Sequence, residues 1–317
     1  MAKDLKILII GFGSIGQRHY KNLKKLGYKN LAVFDINKKI ISNIKSQTSN
    51  LNTNTLQEFR IVFICTPNNL HIKHALPAAK AGCHLFIEKP LSHNLTGINK
   101  LSSICQQKKL ITMVACNLRF HPSLQFIKKY LEKNKLGKIY KISHEFGYYL
   151  PYWRPGTDYT KNYAVKKLKG GGIILDDIHE FDLLFWLNNF KPAKQAKFIY
   201  DKISKLRIET EDICLASFKF ENNILGSVKC DYLQQSYCRT CKIVGEKGNL
   251  EWNWQDNIVW LKTKNQNKKI FQVKNWDVNQ MYIDEVKYFM ACVKNNVTTF
   301  NNIKRSKQVL KHCVRRK

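Results

Sequence analysis

The stretch LKILIIGFGSIG, residues 5–16, decides the fold of this chain. Its first half, Leu5–Ile10, is short and mostly apolar, as expected of a strand buried inside a parallel sheet. Its second half has the spacing G-x-G-x-x-G, and an amphipathic helix pattern follows it as far as Gly27. Between a strand and a helix, this spacing is typical of a loop that binds the pyrophosphate of a dinucleotide.

Each glycine of this loop has its own task in such a turn. Gly11 allows the tight turn, Gly13 lets the backbone approach the pyrophosphate, and Gly16 lets the helix meet the strand. The N-terminus of the helix then faces the phosphates. The residues predicted to bind the cofactor here are Gly11, Phe12, Gly13, Ser14, Ile15 and Gly16.

An acidic residue follows at the expected distance. The apolar run Leu31–Phe34 predicts a second strand, and it ends at Asp35, about 20 residues after Gly16. A carboxylate there accepts hydrogen bonds from the adenosine ribose and repels a 2′-phosphate, so NAD is favoured. Lys38 and Lys39 follow closely, and NADP therefore stays an alternative cofactor.

Strand and helix patterns then alternate, which predicts a doubly wound parallel sheet in a first domain of residues 1–117. Two loops leave the strand ends of this sheet, where such folds bind ligands. Lys89 directly follows a buried strand and precedes a proline that fixes the turn. Its ammonium there is suited to bonding a substrate hydroxyl and easing loss of its proton. The residues of these two loops predicted to bind the cofactor are Thr66, Pro67, Asn68, His71, Glu88 and Lys89.

The pattern changes after Asn117, in a second predicted domain of residues 118–317. Runs rich in β-branched and aromatic residues, joined by turns, predict one large and mostly antiparallel open sheet. The predicted strands are Ile139–Tyr148, Ala196–Ile203, Ile213–Phe220, Ile224–Tyr232, Thr240–Val244, Asn257–Lys262 and Lys269–Val273. Helices are predicted over Ile173–Leu187 and Val278–Lys294.

The segment GGGIILDDIHEFD, residues 170–182, carries the candidate chemistry of this domain. On one continuous helix, Asp176 and His179 are neighbours at i,i+3, on the face opposite the apolar side chains. A carboxylate beside an imidazole fixes one tautomer and raises its basicity, which suits a general base. A capped helix start with a surface ion pair is the alternative interpretation.

An aromatic loop over residues 148–159 precedes the glycines. Aromatic faces stack on sugar rings, and arginine binds phosphate or carboxylate in bidentate fashion, so Tyr149, Trp153 and Arg154 are candidate substrate contacts. The alternative is a loop packed by its own aromatic side chains.

The net charge of +31 is the most unusual property of the composition. Such a field attracts nucleic acid, anionic membranes or phosphorylated small molecules. The lysines are spread singly, however, and only the run from Lys304 and Arg305 to Lys317 resembles a basic tail. No nucleic-acid module is recognisable, and no apolar run is long enough to cross a membrane, so neither partner is expected.

Ten cysteines occur, mostly inside apolar patterns. They are predicted to be buried thiols in a reducing compartment, which indicates the cytoplasm. Cys238 and Cys241 form a lone CxxC without a second ligand pair, so no metal site is expected.

Three features coincide in one chain: the glycine-rich fingerprint with Asp35, the turn at Lys89, and the segment with Asp176 and His179. Together they resemble the Gfo/Idh/MocA oxidoreductases, the family of glucose–fructose oxidoreductase and inositol dehydrogenase. The similarity covers nearly the whole chain and also includes Asn117 with Arg119.

The resemblance implies a Rossmann domain followed by an α/β domain whose open sheet often supports a homodimer or homotetramer. It implies that Lys89 lies at the reacting centre, with a cis bond to Pro90, and that Asp176 and His179 face the substrate. The histidine follows the aspartate by three positions here, one fewer than is common. This variant is similar to a subgroup linked to surface-polysaccharide sugars. Relatives commonly continue beyond Lys311, so a final strand or an interface piece is expected to be missing from this chain.

The sequence therefore predicts an NAD(P)-dependent oxidoreductase that moves a hydride between nicotinamide and a secondary hydroxyl or ketone of a sugar or nucleotide-sugar. The alternatives are a non-catalytic nucleotide-binding Rossmann protein and a basic nucleic-acid-binding protein. The predicted catalytic residues are Lys89, His179 and Asp176. The predicted substrate-binding residues are Arg119, Tyr149, Trp153, Arg154, Asp176 and His179.

Overall fold

The computed structural model describes residues 4–48 and 50–314. They form two compact units. The first runs to Asn117 and includes Val278–Lys311, and the second comprises Leu118–Asp277 with the residues from His312 onward. The division at Asn117 lies where the sequence pattern changes, whereas Val278–Lys311 had been assigned to the second domain.

The first unit is built on a five-stranded parallel sheet of order β2-β1-β3-β4-β5. Every residue of β1, β3, β4 and β5 is buried, which explains why these strands are mostly apolar. The predicted doubly wound parallel sheet is thereby confirmed. Its elements are β1 (Ile7–Ile10), α1 (Ser14–Lys25), β2 (Leu31–Phe34), α2 (Thr53–Gln57), β3 (Ile61–Ile64), α3 (His71–Lys80), β4 (His84–Glu88), α4 (Ile98–Gln107) and β5 (Thr112–Ala115).

The second unit contains an eight-stranded sheet of order β13-β12-β11-β10-β6-β9-β8-β7. Its neighbouring strands are antiparallel except for the parallel pair β6 and β9, so the predicted large, mostly antiparallel sheet is confirmed. The elements are α5 (Pro122–Glu132), β6 (Ile139–Gly147), α6 (Ile173–Asp176), α7 (Ile178–Leu187), β7 (Ala193–Asp201), β8 (Ile213–Phe220), β9 (Leu225–Asp231), β10 (Cys238–Gly245), β11 (Gly248–Asn253), β12 (Ile258–Lys262) and β13 (Asn267–Gln272).

Two helices follow the sheet, α8 (Asn279–Asn295) and α9 (Ile303–Val314). The ring of Phe289 on α8 packs against Phe63 of β3 and Phe86 of β4. After α8, the carbonyl of Asn301 accepts the N–H of Val114 on β5, and its side-chain amide donates to the Val114 carbonyl. These contacts explain why this part of the chain belongs to the first unit.

The sequence suggested a basic tail from Lys304 onward, and the structure instead places a helix there. Ile303, Ser306, Leu310 and Cys313 are buried at helical spacing along α9. The lysines and arginines between them occupy the other face, so the run is amphipathic rather than a charged tail. Arg315, Arg316 and Lys317 of the suggested tail lie outside the described residues.

The helix predicted over Ile173–Leu187 is interrupted. Asp177 leaves helical geometry (φ −104°, ψ 39°), so α6 ends at Asp176 and α7 begins at Ile178. The i,i+3 argument for Asp176 and His179 assumed one continuous helix and was therefore wrong in its premise. In the described part of the chain, no helix has the length and apolar character needed to cross a membrane.

Candidate active site

The glycine-rich loop between β1 and α1 has the geometry that its spacing predicts. Gly11 has a φ of +90°, and a Cβ there would lie 2.7 Å from the carbonyl carbon of Cys65. A Cβ on Gly16 would lie 2.0 Å from the oxygen of Gly11, so only glycine lets α1 dock here. At Gly13 no described atom lies within 4 Å of such a Cβ, which leaves the backbone open to a ligand.

Asp35 lies directly after β2 and is tied to this loop. Its carboxylate accepts the backbone N–H of Phe12 at 2.6 Å and that of Asn37 at 2.8 Å. These bonds hold the carboxylate beside the glycines. A carboxylate accepts through more than two lone-pair directions, so the bonds leave capacity for a ribose hydroxyl.

His71 connects the two strand-end loops of the first unit. One ring nitrogen lies 2.8 Å from the carbonyl of Thr66 and the other 2.8 Å from the carbonyl of Pro90. The side chain is fully buried. Burial lowers the pKa of His71, so the neutral ring carries one N–H, which donates to one of these two carbonyls. The ring thereby lies between the two loops, and its contact with the cofactor stays a prediction.

Glu88 and Lys89 end β4. The Glu88 carboxylate lies 2.6 Å from Nε2 of the fully buried His19 on α1, and it accepts the backbone N–H of Lys89 at 3.2 Å. Glu88 thus fixes the start of the turn. The Lys89–Pro90 bond is cis, as predicted, and the Lys89 side chain is half-buried.

In the second unit, the three glycines bring backbone segments together. Gly172 has a φ of +103°, and its N–H donates to the carbonyl of Ala164 at 2.9 Å. A Cβ on Gly171 would lie 2.2 Å from that same oxygen. The glycines are therefore needed for close chain packing ahead of α6, and this packing places Tyr163 near Asp176.

Asp176 is buried and held by two tyrosines. The hydroxyl of Tyr163 donates to Oδ1 at 2.9 Å and that of Tyr232 to Oδ2 at 3.2 Å. Burial, and after it the charge of Asp176, raises the pKa of Tyr232 well above its usual value, so this hydroxyl keeps its proton. His179 follows on α7 with its side chain half-buried. Whether Asp176 orients His179 stays a prediction.

The acidic residues of this segment have partners that no local sequence pattern indicates. Arg239 on β10 donates from Nη2 to Asp177 at 2.6 Å, and its Nε lies 2.8 Å from Glu180. His144 on β6 approaches the other oxygen of Glu180 at 3.4 Å. Arg239 lies two positions before the buried Cys241 on β10, and that spacing puts both on the same face of the strand, which was the available signal that Arg239 points inward.

Arg119 does not lie where a substrate can reach it. Its side chain is fully buried, and its guanidinium donates to both oxygens of Asp182 at 2.6 Å each. The ring of Phe190 lies against the guanidinium at 4.9 Å. The assignment of Arg119 to substrate binding was therefore wrong, because Asp182 already occupies the guanidinium.

The aromatic loop is partly packed on itself. The indole N–H of Trp153 donates to the carbonyl of Tyr148, and its ring contacts Tyr232, the tyrosine that binds Asp176. Tyr149 packs edge-on against Tyr152, and Arg154 is exposed. Trp153 thus supports the site through Tyr232. Substrate contacts by Tyr149 and Arg154 stay predictions.

The first unit fits a dinucleotide on two observations. The open space at Gly13 meets the N-terminus of α1, whose first N–H groups have no partner within the helix. Thr66 Oγ1, at the end of β3, is buried without a hydrogen-bond partner among residues 4–48 and 50–314. Over the same residues, no cluster of histidine, cysteine and acidic side chains is arranged to hold a metal ion.

Two family models match this chain. An oxidoreductase family with an NAD-binding Rossmann fold matches residues 5–116, and the GFO/IDH/MocA C-terminal domain matches residues 124–251. A levoglucosan dehydrogenase of Pseudarthrobacter phenanthrenivorans is 26% identical over 62% of this chain. That alignment spans 56% of the relative, little more than half its length.

Solved structures share the fold over nearly the whole chain. A levoglucosan dehydrogenase in complex with NADH matches with a TM-score of 0.84 at 18% identity, covering 98% of this chain and 95% of that one. A UDP-N-acetylglucosamine 3-dehydrogenase from Acidithiobacillus ferrooxidans matches with a TM-score of 0.80 at 17% identity, covering 99% and 96% of the two chains. At such identities the similarity is one of fold.

Proposed function

This chain belongs to the Gfo/Idh/MocA oxidoreductase family, and on that premise we propose that it is an NAD-dependent sugar dehydrogenase. It moves a hydride between nicotinamide and a secondary hydroxyl, or the corresponding ketone, of a sugar. The observation that carries this proposal is the strand-end cluster of the first unit. There the open Gly13, the unsatisfied Thr66 hydroxyl and the half-buried Lys89 follow neighbouring strands of one sheet.

The residues divide the chemistry between them. The glycine-rich loop at Gly13 and the carboxylate of Asp35 would hold NAD, which would supply the acceptor for the hydride of the carbinol carbon. Lys89 donates a hydrogen bond from its ammonium to the substrate oxygen and stabilises the charge that develops there. His179 takes the hydroxyl proton as general base. Asp176, held by Tyr163 and Tyr232, balances the positive charge that His179 gains.

A nucleotide-sugar is the substrate we favour. The segment between β6 and α6 carries exposed cations at Arg154, Lys161, Lys167 and Lys169. Tyr163 lies in the same segment and binds Asp176. Cations on the same segment as Tyr163 suit a diphosphate group, for which arginine offers a bidentate fork.

We also propose a homodimer or homotetramer in the cytoplasm. Ile199, Leu215 and Leu225 are exposed on neighbouring strands β7, β8 and β9, and Ile199 lies opposite Leu215 in register. Exposed apolar side chains on a sheet support association. All ten cysteines are free thiols, which suits a reducing compartment. Light scattering at moderate salt tests the assembly, and a monomeric mass would contradict it.

The first experiment is a fluorescence titration with NADH and NADPH, followed by a hydride-transfer screen of sugars and nucleotide-sugars. We expect NADH to bind more tightly than NADPH because of Asp35. Lys89→Ala and His179→Ala should each lower kcat by about 10²–10⁴-fold while NADH binding persists. Lys80→Ala, at an exposed lysine in the last turn of α3, is the control and should behave like wild type.

Two results would overturn the proposal. Near-normal turnover in either active-site variant would remove that residue from the mechanism. Binding of NADH without hydride transfer to any substrate of the screen would favour the non-catalytic nucleotide-binding alternative.

A further inference from the structure

Four carboxylates fall within the seven residues 176–182, and all four are buried. Burying a charged carboxylate costs free energy unless a partner compensates it. Asp182 has Arg119, and Asp176 has two tyrosine hydroxyls. Asp177 and Glu180 share the guanidinium of Arg239. These last two residues bracket Ile178 and His179, at the start of α7.

The Arg239 guanidinium contacts one carboxylate that precedes His179 in the sequence and one that follows it. Nη2 binds Asp177 at 2.6 Å, before the first residue of α7, and Nε lies 2.8 Å from Glu180, in its first turn. A guanidinium is planar and rigid, so contacts with both carboxylates fix their mutual position. The backbone between them, which carries His179, is thereby held at two points.

A second cation completes the cluster. Nδ1 of His144 lies 3.4 Å from the second oxygen of Glu180, and both side chains are essentially without exposure. His144 belongs to β6 and Arg239 to β10, which are neighbouring antiparallel strands. The start of α7 is therefore anchored to two adjacent strands of the sheet, and strands are rigid supports for a functional side chain.

We propose that Glu180, clamped between Arg239 and His144, is a positioning residue that sets the orientation and the basicity of His179. The inference rests on the proposed role of His179 as general base. Glu180 touches no reacting atom in this scheme. It acts by fixing the first turn of α7 and by placing a compensated negative charge next to His179.

Other titratable groups surround this clamp and enter its charge balance. Around Glu180 they are Asp177 on its own segment, His144 on β6, Cys230 on β9, Tyr237 before β10, and Cys238, Arg239 and Cys241 on β10. Burial alone would lower the pKa of His144, but Cys241 and Glu180 outweigh it and raise that pKa to about 10. His144 thus keeps its proton near neutral pH and, with Arg239, places two cations beside Glu180.

The test follows His179 itself by NMR in protein labelled with ¹³C-histidine. The His179 signal is assigned by its loss in His179→Gln. In Glu180→Gln only Asp177 still balances the charges of Arg239 and His144, so the His179 titration should move down by about one pH unit. In His144→Gln the charge of Glu180 is less compensated, so it should move up. Opposite shifts are the signature of a charge clamp, and a general loss of packing does not produce them.

Glu251→Gln is the matched control. Glu251 also binds two cations, Lys242 and Lys262, in the same sheet. This variant should leave the His179 titration unmoved. An unchanged His179 titration in both Glu180→Gln and His144→Gln, or an equal shift in Glu251→Gln, would overturn the inference. If Glu180→Gln does not fold, the direction of the His144→Gln shift decides.

The kinetic readout separates this inference from the proposed function. With a substrate found in the screen, Glu180→Gln should lower kcat at least tenfold and shift the pH profile of kcat, with little change in NADH affinity. If wild type transfers no hydride to any substrate, the proposed function fails, and the NMR titration still decides whether Glu180 controls His179.

Discussion

Arg119 shows how one buried residue changes an assignment. Its guanidinium makes a two-pronged ion pair with Asp182 and is fully buried. Removing one member of such a pair leaves an uncompensated buried charge. We therefore expect Arg119→Ala to lower the free energy of unfolding by about 3–5 kcal/mol, measured by urea unfolding. NADH affinity of the folded variant should stay at the wild-type value. A higher KM for the sugar in Arg119→Ala, without a loss of stability, would mean that Arg119 binds the substrate after all.

The sequence located the chemistry of single residues better than their partners. Gly11, Gly13 and Asp35 were placed by local spacing alone, because a strand–turn–helix leaves few conformations open to them. Asp182 lies 63 positions from Arg119, and no local pattern joins them. The sequence alone does not distinguish an arginine that pairs with a buried carboxylate from one that binds a substrate. The same limit hid the contact of Glu180 with Arg239.

At the scale of elements, two glycines of one loop should respond in opposite ways to the same change. A Cβ on Gly16 would meet the Gly11 carbonyl at 2.0 Å, and backbone has to move to accept it. Gly16→Ala should therefore destabilise the fold by about 1–3 kcal/mol as α1 is pushed off the sheet. Gly13→Ala meets open space, so its stability should change little while NADH affinity falls at least tenfold.

Thermal unfolding and NADH titration of both variants separate these effects. The first variant should lose stability and the second should lose the cofactor. Equal stability loss in both would mean that the space above Gly13 is needed by the fold itself. Tight NADH binding by Gly13→Ala would show that the pyrophosphate lies elsewhere.

Elements with a regular hydrophobic period were predicted well, and interrupted ones were not. Buried and exposed residues alternate along β8 with the period of two that a strand requires, and its bounds, Ile213–Phe220, match the prediction. The break at Asp177 has no such signal, since helical spacing continues through it. α9 was missed because its cations masked an apolar stripe that includes Leu310. The cations of this segment indicate its exposed face, whereas the spacing of its apolar residues indicates the helix.

At the scale of the whole molecule, buried histidines should determine how the free energy of unfolding changes with pH. In His84 and His121, Nδ1 accepts a backbone N–H, from Ile111 and Ser123 respectively, so a proton on Nδ1 would break a bond. Burial lowers the pKa of His84 to about 4 and that of His121 to about 3. Burial likewise lowers the pKa of His74 to about 4.

The sign follows from proton linkage. Below pH 6.5 the unfolded chain binds protons at these histidines and the folded protein does not, so stability falls as pH drops toward 4. His144 acts oppositely, because its raised pKa gives stability that is complete below pH 6.5 and lost as pH rises toward about 10.

We expect the melting temperature to fall by about 5–10 °C from pH 6.5 to 4.5. His121→Gln should flatten this acid limb, because glutamine binds no proton in either state, and His144→Gln should flatten the alkaline limb. A melting temperature that rises on acidification would mean that these histidines are protonated in the fold, which the Ser123 and Ile111 bonds do not allow.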